Sequence, residues 1–322
     1  MSYAGPDIDP PRPRRPRRGP LTVALAALVP GALLGWLVYA AAGGSGGSSG
    51  GAGSASPAAS SGPASAPSAA SPRAGDSAAD AKDPGPPTGG SAPAAASGTL
   101  KGKVVVIDPG HNPGNLRHPT EINRQVDIGT NRKECDTTGT STNSGYPEAR
   151  FTLDVAHRLR TLLERQGATV KLTHDGDSPP WGPCVDERAR IGNTARADAA
   201  VSIHADGSAQ GNRGFHVILP ASVHAGGADT RPVVGPSEDL GTRIAGRYLR
   251  LTGEPPANYV GDGTGLVTRK DLGGLNLSTV PKVFIECGNM RDTKDASLLT
   301  NGAWRQKAAQ GISEGIVSFL RG

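Results

Sequence analysis

Between Gly43 and Gly98 the 322-residue chain contains no Val, Ile, Leu, Met, Phe, Tyr or Trp. A stretch with nothing to bury cannot offset the entropy lost on ordering, so it has no fold of its own. Apolar residues are scarce in the chain as a whole: aromatics are 4% and hydrophobic residues 36%, while Gly (46) and Pro (28) are in excess. Length alone allows roughly two domains. The part left after Gly98, Thr99–Gly322, is one domain's worth of chain and long enough for a sizeable core. A two-domain soluble enzyme is thereby excluded. A basic stripe is missing too. Of the formal net charge of +5, +2 belongs to residues 1–98 and +3 to the rest, with no run of cations interleaved with aromatics. Nucleic acid is therefore not an expected partner.

The N-terminus carries the information on location. Residues 1–20 hold Arg12, Arg14, Arg15, Arg17 and Arg18, and Leu21–Ala42 follows without a charge. Such a run is long enough to cross a bilayer as a helix. The arginines before it should stay cytoplasmic, so the remainder would be exported. Two readings stand: a cleaved signal sequence or an uncleaved transmembrane anchor, the length favouring the anchor. Residues 43–98 then form a disordered Gly/Ser/Ala/Pro linker with a reach of roughly 40 Å as a flexible coil. It would hold the 99–322 domain off the membrane, in the cell envelope.

Within that domain, Lys103–Ile107 reads as a strand buried on both faces. Pro147–Gln166 reads as a helix, with Pro147 at its first position and Phe151, Val155, Leu159, Leu162 and Leu163 in helical register. Strands are expected at Ala168–Thr173, Ala199–Ile203, Gly214–Leu219 and Lys282–Ile285. Helices are expected at Asp186–Ala195, at Ser237–Leu251 with Ser237 as cap, and at Ala303–Leu320. The alternation implies an α/β fold: a single domain with a twisted, mostly parallel central sheet flanked by helices on both faces. No internal repeat is present. Asn112–Tyr146 is long for a connection and reads as a flap.

Ligands in such folds bind beyond the carboxyl ends of the strands. The first strand runs into Asp108-Pro109-Gly110-His111, the third into His204, and the last ends at Glu286; Glu148 opens the long helix. Two imidazoles and one carboxylate make a catalytic zinc set that leaves the fourth tetrahedral position open. Glu148 suits the carboxylate role because the helix fixes its direction and the helix dipole keeps it ionised. Imidazole binds metal only when neutral, so affinity should fall below about pH 6.5. The second glutamate, Glu286, is then free to act as a base.

The blocks Val105-Val106-Ile107-Asp108-Pro109-Gly110-His111, Pro147-Glu148-Ala149, Ser202-Ile203-His204-Ala205-Asp206 and Val283-Phe284-Ile285-Glu286-Cys287-Gly288-Asn289 occur in this order. The run Lys101–Gly322 resembles the zinc-dependent N-acetylmuramoyl-L-alanine amidases of the type 3 family, most of all the short mycobacterial type with no long autoinhibitory helix. The resemblance implies one Zn2+ on His111, Glu148 and His204, with Glu286 as the catalytic glutamate. It also implies a peptidoglycan substrate, cut at the amide between the lactyl group of N-acetylmuramic acid and L-alanine. Asn112 stands where the family usually has glycine, Asp206 where asparagine is common, and His174 where arginine is frequent. These three are taken as residues of the substrate rim.

The other histidines have plainer readings. His157 lies nine residues after Glu148, on the opposite face of the helix, while His118, His216 and His224 read as structural or solvated. Cys287 reads as a buried small residue. Cys135 and Cys184 lie in irregular polar stretches of a domain expected in an oxidising compartment, and a disulfide between them would pin the flap. Nothing calls for more than a monomer. The rival readings are a zinc peptidase cutting within the stem peptide and a wall-binding module without turnover; glycan cleavage by two facing carboxylates would leave the histidines unused.

Overall fold

The computed structural model describes residues 99–176 and 178–322. The 1–20 segment, the 21–42 anchor or signal and the 43–98 linker lie outside the described residues. Among the described residues no helix is long and apolar enough to cross a membrane.

In chain order the elements are β1 (Val104–Pro109), a 3-10 turn (Asn115–Arg117), the short helix α1 (Pro119–Ile122) and the hairpin strands β2 (Gln125–Asp127) and β3 (Arg132–Glu134). There follow α2 (Glu148–Arg165), β4 (Thr169–Leu172), α3 (Val185–Thr194), β5 (Ala199–Asp206) and β6 (His216–Pro220). The two-residue pair β7 (His224–Ala225) and β8 (Ala228–Asp229) precedes α4 (Val234–Thr252). The chain ends with β9 (Leu266–Arg269), α5 (Gly273–Asn276), β10 (Lys282–Asn289), α6 (Thr293–Leu299) and α7 (Gly302–Arg321).

The central sheet has six strands in the order β4-β1-β5-β10-β6-β9. Every neighbouring pair is parallel except β10 with β6, so β6 and β9 together run against the other four. Strand alternation sorts the side chains. Val105, Ile107, Val201, Ile203, Val283 and Ile285 point to one face and pack with Phe151, Val155, Leu159 and Leu163 of α2, Leu240, Ile244 and Tyr248 of α4, and Ile312 and Ile316 of α7. Each such side chain contributes about 1.5–3 kcal/mol by leaving water. The other face is thinner: Val106, Ala197, Ala200 and Val280 meet Ile191 of α3. It also carries the polar residues Asp108, Ser202, His204, Lys282 and Glu286, one strand position out of phase with the core.

Three expectations differ in detail. Pro147 caps α2 with extended backbone, and Glu148 is the first helical residue. Ser237 lies inside α4, fully buried; its Oγ accepts from the Lys282 backbone N–H at 3.1 Å and thus ties helix to strand rather than capping. The Asn112–Tyr146 stretch, expected as a flap, holds a turn, α1 and the β2–β3 hairpin. The expected disulfide joins Cys135 to Cys184.

Candidate metal centre

Parallel register puts the functional ends of the strands at one edge. Pro109 sits across from Ile203, and Glu286 lies beside His204 on one side and His216 on the other. Beyond Glu286, β10 shifts register before Asn289 pairs with Asp206. The helix α2 enters over the same edge and presents Glu148 from its first turn, where the helix dipole favours a carboxylate.

One donor atom from each of His111, Glu148 and His204 lies within 4.8 Å of the others. Glu148 bridges the two rings: Oε2 is 3.1 Å from His111 Nε2 and Oε1 is 3.0 Å from His204 Nδ1. Its oxygens also accept from the Thr140 and Ala205 backbone N–H groups at 2.9 and 3.2 Å. Burial works to raise the Glu148 pKa, but the two imidazoles outweigh it and hold the carboxyl well below its usual range. For His111 burial works against the charge, yet Glu148 and Asp136 raise it to about 10. Glycine makes the close approach possible at two points. A Cβ on Gly110 would stand 2.3 Å from the His204 ring, and one on Gly139, whose φ is +74°, 2.9 Å from Glu148 Oε2.

Glu286 faces this cluster from the neighbouring strand. Its Oε2 is buried and has no hydrogen-bond partner. Burial first, then the negative charges of Glu148 and Asp206, push its pKa well above the ordinary carboxylate value. A cation among the three donors would relieve that repulsion. The donor chemistry, the spacing and the orphaned carboxylate oxygen together fit a zinc ion.

Beneath the cluster runs a buried network that the sequence did not reveal. Arg188, 5% exposed, donates to Asp108 Oδ1 (2.7 Å), Pro109 O (2.6 Å), His111 O (3.2 Å), Asp136 Oδ2 (2.8 Å) and Pro183 O (2.8 Å). All five of its N–H groups have work. Asp108 accepts further from Ser202, Thr173 and Lys282 at 2.5, 2.7 and 3.1 Å. The flap closes the far side of the His111 ring, with Thr137 O 3.1 Å from Nδ1. This brace holds His111 at φ +60°, a conformation seldom adopted outside glycine. A lone arginine eleven residues before the start of β5 gave no signal, because two of the three segments that supply its partners, 108–111 and 136, lie more than 50 residues away.

The rim assignments divide. Asp206 lines the open cavity with Glu286 and accepts from Tyr259 Oη at 2.7 Å. Asn112 does not reach the rim: it is 1% exposed, donates to Pro179 O and Gly182 O at 3.0 Å, and accepts from Gly114 N. It folds the loop after His111 rather than touching substrate. His174 is also turned inward, 2% exposed, with Nε2 2.9 Å from Pro109 O, and burial lowers its pKa to about 4. Being adjacent in sequence to His111 or to a strand end placed both near the site, but their side chains point into the protein.

His157 makes an exposed ion pair with Asp175, His224 is exposed, His216 is buried in β6 beside Tyr259, and Cys287 is buried. Two cavities meet at the metal centre, and His111, Thr137, His204, Leu272 and Phe284 line both. The more open one, about 420 Å³, adds Glu286, Asp206, Ile218 and Arg269.

Residues 105–318 match the family model described as N-acetylmuramoyl-L-alanine amidase. The N-acetylmuramoyl-L-alanine amidase Rv3717 of Mycobacterium tuberculosis is 42% identical over 235 residues, 71% of this chain and 91% of the relative. Crystal structures of N-acetylmuramyl-L-alanine amidase Ami1 give TM-scores of 0.62 from both Mycobacterium smegmatis (40% identity, 69% of this chain and 98% of that one) and Mycobacterium abscessus (41%, 69% and 100%). With its fold and the His–Glu–His cluster, the chain belongs to the N-acetylmuramoyl-L-alanine amidase family, and its reaction is hydrolysis of a peptidoglycan amide.

Proposed function

We propose that this amidase is a zinc enzyme of the cell envelope in which His111, Glu148 and His204 hold the metal and Glu286 is the general base and acid. The bond cut is the amide between the lactyl group of N-acetylmuramic acid and the L-alanine of the stem peptide. The observation that carries the assignment of roles is the unpartnered Glu286 Oε2, buried and facing three converging donors. Zinc, when bound, supplies Lewis acidity to the scissile carbonyl and to a water. Glu286 takes a proton from the attacking water and hands it to the departing amine. Its raised affinity for protons suits the second half of that cycle. Glu148, fixed by two backbone N–H groups, keeps both imidazoles oriented. The 21–42 segment would export the domain or anchor it, and a monomer suffices.

The test is a Glu286→Gln variant assayed for metal content and for muropeptide digestion. Metal stoichiometry should be unchanged and turnover should fall by about 10²–10⁴, the worth of a positioned acid–base group. Near-normal turnover rejects Glu286 as base. Digestion with and without chelator identifies the bond: intact stem peptides are released only if the lactyl amide is cut, whereas a stem peptidase would release fragments.

A further inference from the structure

We infer that Arg269 selects the substrate by binding a free carboxylate on the stem peptide, taking it in exchange for Asp271. The inference rests on the amidase reading above, because that reading fixes which part of the substrate lies where. Glu286 protonates the departing amine, so the stem peptide leaves through the cavity that Glu286 lines. Among the residues lining that cavity Arg269 is the one Lys or Arg, while Glu148, Asp206 and Glu286 are acidic. An anionic peptide entering there meets mostly like charge, and one side chain can compensate.

Arg269 is already arranged for a carboxylate. It grips Asp271 with a forked pair of bonds, Nε to Oδ1 at 2.9 Å and Nη2 to Oδ2 at 2.7 Å. That planar geometry is the one guanidinium uses for any carboxylate. The pair is easy to exchange, since both side chains are over 40% exposed and exposed pairs are worth little. Asp271 is not stranded when it lets go, because Lys133 Nζ lies 3.5 Å from its Oδ2. Ile218, Leu272 and Phe284 line the same cavity and give it an apolar wall. A short peptide can therefore run from the reacting amide over this wall to the guanidinium. The carboxylate nearest the scissile bond in peptidoglycan is the α-carboxyl of the γ-linked glutamate that follows L-alanine, which cells leave free or convert to an amide.

The experiment compares kcat/KM of the zinc-loaded full chain on two synthetic muramyl peptides, identical except that the second residue carries a free acid or its amide. The wild type should favour the acid by roughly twofold to fivefold, the range of a half-exposed ion pair. Arg269→Gln should lose that factor on the acid substrate alone and bring the ratio near one, with Arg269→Lys in between. Asp271→Asn, which removes the competitor, should widen the preference. A wild type without preference overturns the proposal, as does an Arg269→Gln that loses the same factor on both substrates, since a turn-stapling role predicts that result. If the wild type cleaves neither substrate between the lactyl group and L-alanine, the amidase reading fails and the proposal with it; cleavage without discrimination sinks the proposal alone.

Discussion

Replacing Arg188 by methionine removes the buried brace under the metal centre without changing side-chain length much. The native guanidinium satisfies two carboxylates, Asp108 and Asp136, that are 1% and 6% exposed. Asp108 keeps Lys282, Ser202 and Thr173 after the change, so its charge remains balanced. Asp136 keeps the Thr137 N–H at 2.8 Å, the His111 ring at 3.6 Å and the Asn115 side chain. The main cost is therefore one stranded buried carboxylate together with the freed Pro183 and His111 carbonyls, while Pro109 O keeps the His174 ring. Breaking a buried pair from one side costs about 3–5 kcal/mol, a large share of an ordinary stability of about 5–15 kcal/mol. Urea unfolding followed through the buried Trp304 would measure it. The pH dependence gives a second reading. Both aspartates have depressed pKa values, against burial, because Arg188 (with Lys282 at Asp108) stabilises the charged forms. Their stabilisation is present above the unfolded value of about 3.9 and fades as pH falls through the folded values. In the variant Asp136 is relieved by protonation instead, so the gap to wild type should narrow in acid. A loss below about 1 kcal/mol at neutral pH, or a gap that widens in acid, would refute the argument that water cannot replace these bonds.

Other perturbations report on separate parts of the molecule. Gly139→Ala forces a Cβ to within 2.9 Å of Glu148 Oε2 at a positive φ, so zinc content after dialysis should drop while the far-UV circular dichroism stays native. Reducing the Cys135–Cys184 disulfide opens a loop closed over 49 positions, a loss of roughly 4 kcal/mol in the chain-entropy model; alkylation without reductant should label Cys287 alone after unfolding, and three labelled cysteines would contradict the bond. Glu254 is 2% exposed and raised to about 7 by burial, with Asp295 adding to it and Arg213 opposing. A raised carboxyl contributes stability that is complete below its unfolded value of about 4.5 and is lost as pH climbs through about 7. Urea midpoints should therefore fall between pH 5 and 7.5 in the wild type and run flatter in Glu254→Gln; equal slopes would reject the linkage.

The strands and the convergence of His111, Glu148, His204 and Glu286 at one edge were legible because they obey rules local to the sequence. Val105-Val106-Ile107 and, but for Ser202, Ala199–Ile203 are short apolar runs, and in a parallel sheet whatever follows such a run stands at the ligand edge. His111, His204 and Glu286 follow or end such runs, and Glu148 follows a helix-starting proline. Direction was not legible. His216–Pro220 looks the same read either way, and only its pairing with β10 reverses it and brings β9 in beside it. Side-chain orientation outside regular structure was equally hidden. His111 leaves β1 with positive φ, which breaks the strand's alternation, so the residue after it turns inward and Asn112 closes a loop instead of facing substrate. Ser237 has the chemistry of a helix cap, but a strand N–H three helical positions inside α4 claimed its hydroxyl. Arg188 shows the limit most clearly, since its acceptors at positions 108, 109, 111, 136 and 183 are spread along the chain and meet only in the fold. The polar face of the sheet thus does two jobs with one alternation. Its outer positions carry the groups we propose to react, and the positions below them carry the buried charges that brace those groups.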